Sequence, residues 1–407
     1  MSRSSICLSN LRAVLILIVV AFHSCLPYLA SAPAKLAPFD QAPYDWLAFP
    51  VVDERRWLGF DIFCAWDDLS LMPLLFALSG FFAARSLARK GAPKYLSDRV
   101  WRIAVPFVLA VAFLNPLAIY PAYAVRAAHP SLSGFFQAWI ALPFWPNGPA
   151  WFLWLLFVFN ALAALLYLAA PQVCDRLAQL SGWVRGHPGL ALGSLVGASA
   201  LAYAPLAMTL SPWRWSWSGL FSLQICRPVL YAVFFFAALA IGGGGLDSNL
   251  LHRDGPLARR WALWLAVAVV TFLLWAGVTS LTLPDWYAAP FVARLAASIA
   301  FAIACPVGVL LFLAISLRFG ARHNFFLDGV AANAYGIYLA HYLFVVWLPF
   351  LLLRQSLPVA TKAGIVFGGA LALSWASSIA WARLMKRPYP ATGTVAPVPL
   401  PMRAAKR

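Results

Sequence analysis

Residues 10–25 read NLRAVLILIVVAFHSC, an apolar run with an arginine near one end and a histidine near the other. As a helix, about 20 such residues cross a hydrocarbon layer of roughly 30 Å. Of the 407 residues, 63% are hydrophobic and only 11% charged, whereas soluble domains are charged at about a quarter of their positions. Burying so much apolar surface takes lipid rather than a larger core, so the chain reads as an all-α, polytopic membrane protein. Working outward from the first run, comparable stretches lie near 11–29, 69–87, 100–120, 151–169, 190–208, 225–241, 261–281, 291–317, 331–352 and 363–382. These predict ten transmembrane helices, of which 225–241 is the weakest.

The formal charge of +17 does not point to nucleic acid, because the basic residues sit in short segments between spans, where they set orientation. With a cytoplasmic N-terminus, 21 of the 30 Lys and Arg fall inside. The other side keeps Lys35, Arg55, Arg56, Arg126, Arg214, Arg227, Arg294, Arg354 and Lys362. This asymmetry predicts both termini in the cytoplasm. Asp40, Asp45, Asp53, Glu54, Asp61, Asp67 and Asp68 place seven of the 13 acids after the first span and predict a folded, polar outer loop. Six scattered cysteines, Cys7, Cys25, Cys64, Cys174, Cys226 and Cys305, read as small apolar fillers without metal spacing. Arg3, the apolar run and ASA at 30–32 imitate a secretory signal, but the charge count favours an uncleaved first helix. Residues 1–385 read as one membrane domain and 386–407 as a basic, Pro-rich cytoplasmic tail expected to be disordered at an anionic leaflet. No internal repeat is visible, and IGGGGL at 241–246 lacks the Lys-Ser/Thr of a phosphate loop, so it reads as a linker.

Arg12 and His23 are eleven residues apart, close to three helical turns, so they share a face about 16 Å apart along the axis. Arg12 is then expected at the inner rim and His23 near mid-membrane, where a titratable group is costly unless it meets a cavity or a partner. A buried histidine satisfied by a neighbour is the plain alternative. His341, in AYGIYLAHYLF, is predicted at a similar depth, and two level histidines suggest a reaction centre or a proton path. In SDRVWRI, Arg99 and Arg102 are spaced to project together. They serve equally as a positive-inside anchor or as a bidentate phosphate clamp, joined by Arg12, Arg318 and Arg322.

The Arg12/His23 spacing, LLFALSGFFAARSL with Ser79, Gly80 and Phe81, the Arg99/Arg102 pair, AWFLWLLF at Trp151 and YGIYLAHYLF with His341 together resemble the acyltransferase-3 family. These are bacterial integral-membrane O-acyltransferases that modify envelope and secreted carbohydrates. The resemblance covers nearly the whole chain in the family's motif order. It implies that His23 is the essential histidine, Arg12 its partner arginine, and Arg99 with Arg102 the pair associated with acyl-CoA, while His341 matches the late-helix histidine. Ser79 and Trp151 belong to the shared motifs and are assigned to acceptor binding. Where the family commonly has an acid six residues before its serine, this chain has Pro73, so Asp67 and Asp68 are the expected substitutes for orienting His23. The Met-Pro dipeptide resembles the branch of periplasmic glucan succinyltransferases.

Taken together, the expectation is transfer of an acetyl or succinyl group from cytoplasmic acyl-CoA to a hydroxyl of an envelope or periplasmic carbohydrate or lipid-linked glycan. It places the protein in the bacterial inner membrane, with Arg12, Arg99, Arg102 and Arg322 at the donor, no tightly bound cofactor and no metal. Direct attack with His23 as general base and a covalent acyl-histidine both stand open. Tyr44, Trp46, Trp57 and Trp66 offer rings for sugar stacking. Two readings from other classes are a proton-coupled transporter or flippase, in which His23 and His341 relay protons, and a structural membrane scaffold.

Overall fold

A computed structural model describes residues 3–170, 172–243 and 252–385, with the side chains of residues 3–5 and several in 173–185 excepted. Residues 386–407, part of the IGGGGL stretch (Gly244, Gly245 and Leu246) and the Cys174 side chain lie outside that description. The elements are α1 (Arg3–Cys25), α2 (Leu58–Lys90), α3 (Ala92–Ala124), α4 (Leu132–Ala141), α5 (Trp151–Ala169), α6 (Val173–Gly186), α7 (Pro188–Leu210), β1 (Trp215–Ser218) and β2 (Phe221–Gln224), then α8 (Pro228–Gly243), α9 (Trp261–Ser280), α10 (Phe291–Phe319), α11 (Phe325–Leu352) and α12 (Val359–Leu384). Among the described residues, nine helices are long and apolar enough to cross a membrane, and α8 is a shorter apolar helix in the place of the expected tenth. An antiparallel hairpin, β1 with β2, is the exception to the all-α reading. Five described cysteines are free and buried, which suits small apolar fillers.

Helix α8 lies directly against α2, backbone to backbone. A Cβ on Gly80 would collide with the Phe235 carbonyl, and one on Gly242 with the Phe81 carbonyl. The Gly of the SGF motif is therefore the contact point that lets α8 pack this closely.

Three boundaries differ from the sequence reading. Helix α1 starts at Arg3 instead of near residue 11, so Arg12 stands nine residues inside the helix. Helix α2 starts at Leu58 and carries Asp61, Asp67 and Asp68 on helix rather than on loop. These acids break the apolar run, but partners elsewhere accommodate two of them: the Asp61 carboxylate accepts from the Ala30 and Ser31 amides at 2.7 and 3.0 Å, and Asp68 meets Arg227. The third is α3, which holds two π segments, Val100–Ala104 and Ala110–Leu114. A π turn releases carbonyls from the helical ladder, and side chains take them up. Tyr335 donates to the Arg102 carbonyl at 2.7 Å and Trp145 to the Val111 carbonyl at 2.9 Å.

The expected outer loop is folded. The buried Arg126 guanidinium donates to Asp45 at 3.0 Å and to the carbonyls of Phe49, Pro50 and Ala122 at 2.8 to 3.0 Å. Burial lowers its pKa from the usual arginine value, and Asp45 opposes that shift. Asp53 meets Lys362 of α12 at 2.5 Å, with side-chain exposures of 2% and 1%. Breaking such a dry pair leaves one charge buried and alone, which costs about 3 to 5 kcal/mol. Lys362→Met should therefore lower the thermal midpoint of the detergent-solubilised protein sharply, and adding Asp53→Asn should restore most of the loss. An unchanged midpoint in the single variant would show that the pair does not hold the loop.

Candidate active site

Helices α1 and α11 run side by side in one direction, matched at two levels. Near the end assigned as inner by its charge, Arg12 donates to the Ala331 carbonyl at 3.2 Å. Eleven residues along α1 and ten along α11, the rings of His23 and His341 meet edge to face with centroids 5.0 Å apart. The level depth expected from sequence is thus direct contact. Tyr342 stands 6.3 Å from His23, also edge-on, and Phe22 lies 5.3 Å away.

The hydrogen bonds of the two rings fix their tautomers. His23 Nδ1 lies 2.8 Å from the Val19 carbonyl, and His341 Nδ1 lies 2.5 Å from the Tyr338 carbonyl. A carbonyl can only accept, so each Nδ1 carries a hydrogen, and in the neutral ring each Nε2 presents a lone pair. His23 is half-buried, whereas His341 is fully buried and its Nε2 has no partner. The pair is two imidazoles aimed by their own helices, each able to accept a proton at Nε2.

This geometry corrects the role expected of the acids. The group that orients His23 is the backbone of α1 one turn back, not a carboxylate. Asp68 is held bidentately by the buried Arg227, both contacts at 2.6 Å. Asp67 is buried, 2% exposed, with its Oδ2 unpaired. Neither acid is hydrogen-bonded to His23 among the described residues.

The arginines gather at the inner end. Arg102 is exposed, and its carbonyl is tied to Tyr335, one turn along α11 from Ala331. Arg322 is exposed, and its carbonyl accepts from Asn10 of α1 at 2.9 Å. Arg99 is half-buried with its guanidinium 4.7 Å above the Tyr95 ring. Arg99 precedes the π turn that begins at Val100 and Arg102 lies within it, so the regular α-helical i, i+3 geometry is not kept between them. None of Arg12, Arg99, Arg102 and Arg322 is in an ion pair among the described residues. That leaves a mouth of positive charge without internal neutralisation.

Among the described residues, Ser79, Trp151 and Trp66, assigned to acceptor binding, make no ring contact or hydrogen bond with His23 or His341. Ser79 is half-buried beside the α2–α8 contact. Trp151 stacks on Tyr231 with centroids 6.0 Å apart. Trp66 packs edge-on against Phe272 of α9 at 5.2 Å, which gives it a helix-packing role. Of the outer-loop rings, Trp46 is wholly buried and stacked on Phe39, so it offers no face to a sugar. Four residues at the site were not foreseen: Val19, Tyr338, Tyr342 and Gly148. The spacing Tyr335, Tyr338, Tyr342 carried a signal, since i, i+3, i+7 lines one helical face.

A family model described as an acyltransferase domain, Acyl_transf_3, matches residues 6–379. The chain belongs to the acyltransferase-3 family. No curated protein and no solved structure matches it. This multi-pass membrane acyltransferase therefore carries its paired histidines and its arginine mouth within the span that defines the family.

The acids can be separated by substitution. Asp68→Asn strands the buried Arg227 and should cost about 3 to 5 kcal/mol, lowering the melting midpoint of the solubilised protein. Asp67→Asn replaces an unpaired carboxylate and should leave that midpoint unchanged or higher. Equal melting of the two variants would refute the distinction.

Proposed function

We propose that this acyltransferase moves an acetyl or succinyl group from cytoplasmic acyl-CoA to a hydroxyl of an envelope or periplasmic carbohydrate, with His23 as general base. The observation that carries the reading is the free Nε2 of His23, aimed by the Val19 carbonyl and standing on one helix with Arg12. Arg12 lies about 16 Å toward the inner end. The phosphates of CoA and its thioester are separated in the same sense by an extended pantetheine arm.

In this mechanism Arg12, Arg102 and Arg322, with Arg99 beside them, draw in the CoA phosphates by field and by charge-assisted hydrogen bonds. The thioester reaches the histidine level. The acceptor hydroxyl comes from the opposite side and gives its proton to His23 Nε2 as its oxygen attacks the thioester carbon. The carbon–sulfur bond then breaks, and the thiolate takes the proton back from His23. His341 holds a lone pair next to the charge that forms transiently on His23, which favours the imidazolium. Family membership favours transfer chemistry over transport of a cargo, and an inner membrane of a bacterium is the location that fits a cytoplasmic donor and an external acceptor.

The test is release of free thiol by purified protein given acyl-CoA and an oligosaccharide acceptor. His23→Ala should slow release by about 100-fold or more, and release at the wild-type rate would refute the assignment. Arg12→Ala and Arg102→Ala should each raise the KM for acyl-CoA about tenfold, with a smaller effect on kcat. The KM of the wild type should itself rise with salt. Labelled donor without acceptor separates the two chemistries: label retained on His23 gives the covalent route, and unlabelled protein gives direct attack.

A further inference from the structure

Attack on a thioester drives a pair of electrons onto the carbonyl oxygen, and a site that catalyses this step needs a hydrogen-bond donor aimed where that charge forms. The surroundings of His23 narrow the choice. Three rings pack against it: Phe22, His341 and Tyr342. Phe22 has no donor. His341 has its one N–H committed to the Tyr338 carbonyl, and its other nitrogen is a lone pair. Tyr342 remains.

Its hydroxyl is uncommitted. Tyr335, Tyr338 and Tyr342 form a stripe on one face of α11, and the first two are tied to backbone, Tyr335 to the Arg102 carbonyl at 2.7 Å and Tyr338 to the Pro149 carbonyl at 2.5 Å. Tyr342 is 8% exposed, and its hydroxyl has no hydrogen bond among the described residues. Its ring is buried, but its oxygen is not among the sealed, unpartnered atoms of the described residues, so the O–H is open to a partner from outside the chain. The ring is also held in place. Gly148, at φ +47°, lies flat against it, so that a Cβ there would sit 2.8 Å from Tyr342 Cε1. The turn carrying Gly148 is fixed in turn by the Tyr338 bond to Pro149 and by Asn147, which donates to the Leu220 and Ser222 carbonyls of the hairpin at 3.3 Å.

Building on the proposed transfer, we infer that Tyr342 is a catalytic residue whose O–H donates to the thioester carbonyl oxygen as it becomes an oxyanion. The acceptor oxygen bonds to the carbonyl carbon while His23 takes its proton, and the carbonyl π electrons move to oxygen, where Tyr342 donates. Collapse returns those electrons, expels the CoA thiolate and releases the hydrogen bond, and the thiolate is protonated from His23. Tyr342 keeps its proton throughout.

Tyr342→Phe preserves the ring against Gly148 and His23 and removes only the donor. It should lower kcat about 100-fold, the loss of one oxyanion donor, with the KM for acyl-CoA little changed and the thermal midpoint retained. A second variant carries 3,5-difluorotyrosine at position 342, a better donor until it ionises. It should keep activity at neutral pH and lose kcat at a lower pH on the alkaline side than wild type does. Wild-type kcat in Tyr342→Phe, or an alkaline limb that the fluorinated residue leaves unmoved, overturns the inference. His23→Ala distinguishes the two failures: if it is inactive while Tyr342→Phe is fully active, only the role of Tyr342 falls, and if it is active the proposed reaction falls too.

Discussion

The hydrogen bond from His23 Nδ1 to the carbonyl of Val19 sets how this ring stands in the bundle. A histidine in the middle of an apolar bundle must satisfy one nitrogen, and the choice of nitrogen decides what the other can do. Here the satisfied nitrogen is the one nearer the helix, and the acceptor belongs to the same helix one turn earlier. The ring is therefore aimed without help from any carboxylate, and the departure at Pro73 from the family pattern leaves no gap in the geometry. His341 repeats the arrangement on α11. Each helix presents a finished, neutral imidazole, and helix packing alone brings the two together.

Charge is handled in opposite ways at the two faces. Of the cations assigned to the outer side, Arg126, Arg227 and Lys362 are buried against Asp45, Asp68 and Asp53. Three of the seven acids that follow the first span, Asp45, Asp53 and Asp68, are matched by cations from distant parts of the chain. At the inner side, Arg12, Arg99, Arg102 and Arg322 have no acidic partners among the described residues. The bare count of 21 against nine understates the contrast, because several of the nine are already neutralised. Structure at one face and attraction at the other draw on the same kinds of residue.

How much of this was legible follows from where each signal resides. Helix α5 was read to the residue because Asn147, Gly148 and Pro149 stop the chain on one side and Pro171 on the other. The start of α2 is not legible because Asp61, Asp67 and Asp68 interrupt its hydropathy, and the partners of Asp61 and Asp68 are far away in sequence, Arg227 being 159 residues from Asp68. The depth of His23 and His341 could be counted along each helix. Their contact could not, since it depends on which faces α1 and α11 turn toward each other. The π segments of α3 were invisible for a related reason: the side chains that take up their freed carbonyls, Tyr335 and Trp145, come from other elements.

The parallel pairing of α1 with α11 has a consequence for biogenesis. Arg12 and its carbonyl partner are 319 residues apart. At about 5 to 20 residues per second, a ribosome needs on the order of 15 to 60 s to travel from one histidine to the other. Throughout that interval the first helix sits in the bilayer with an unshielded imidazole and nothing opposite it. The two rings meet only when the penultimate spanning helix arrives, so a nascent or truncated chain carries one imidazole without the other.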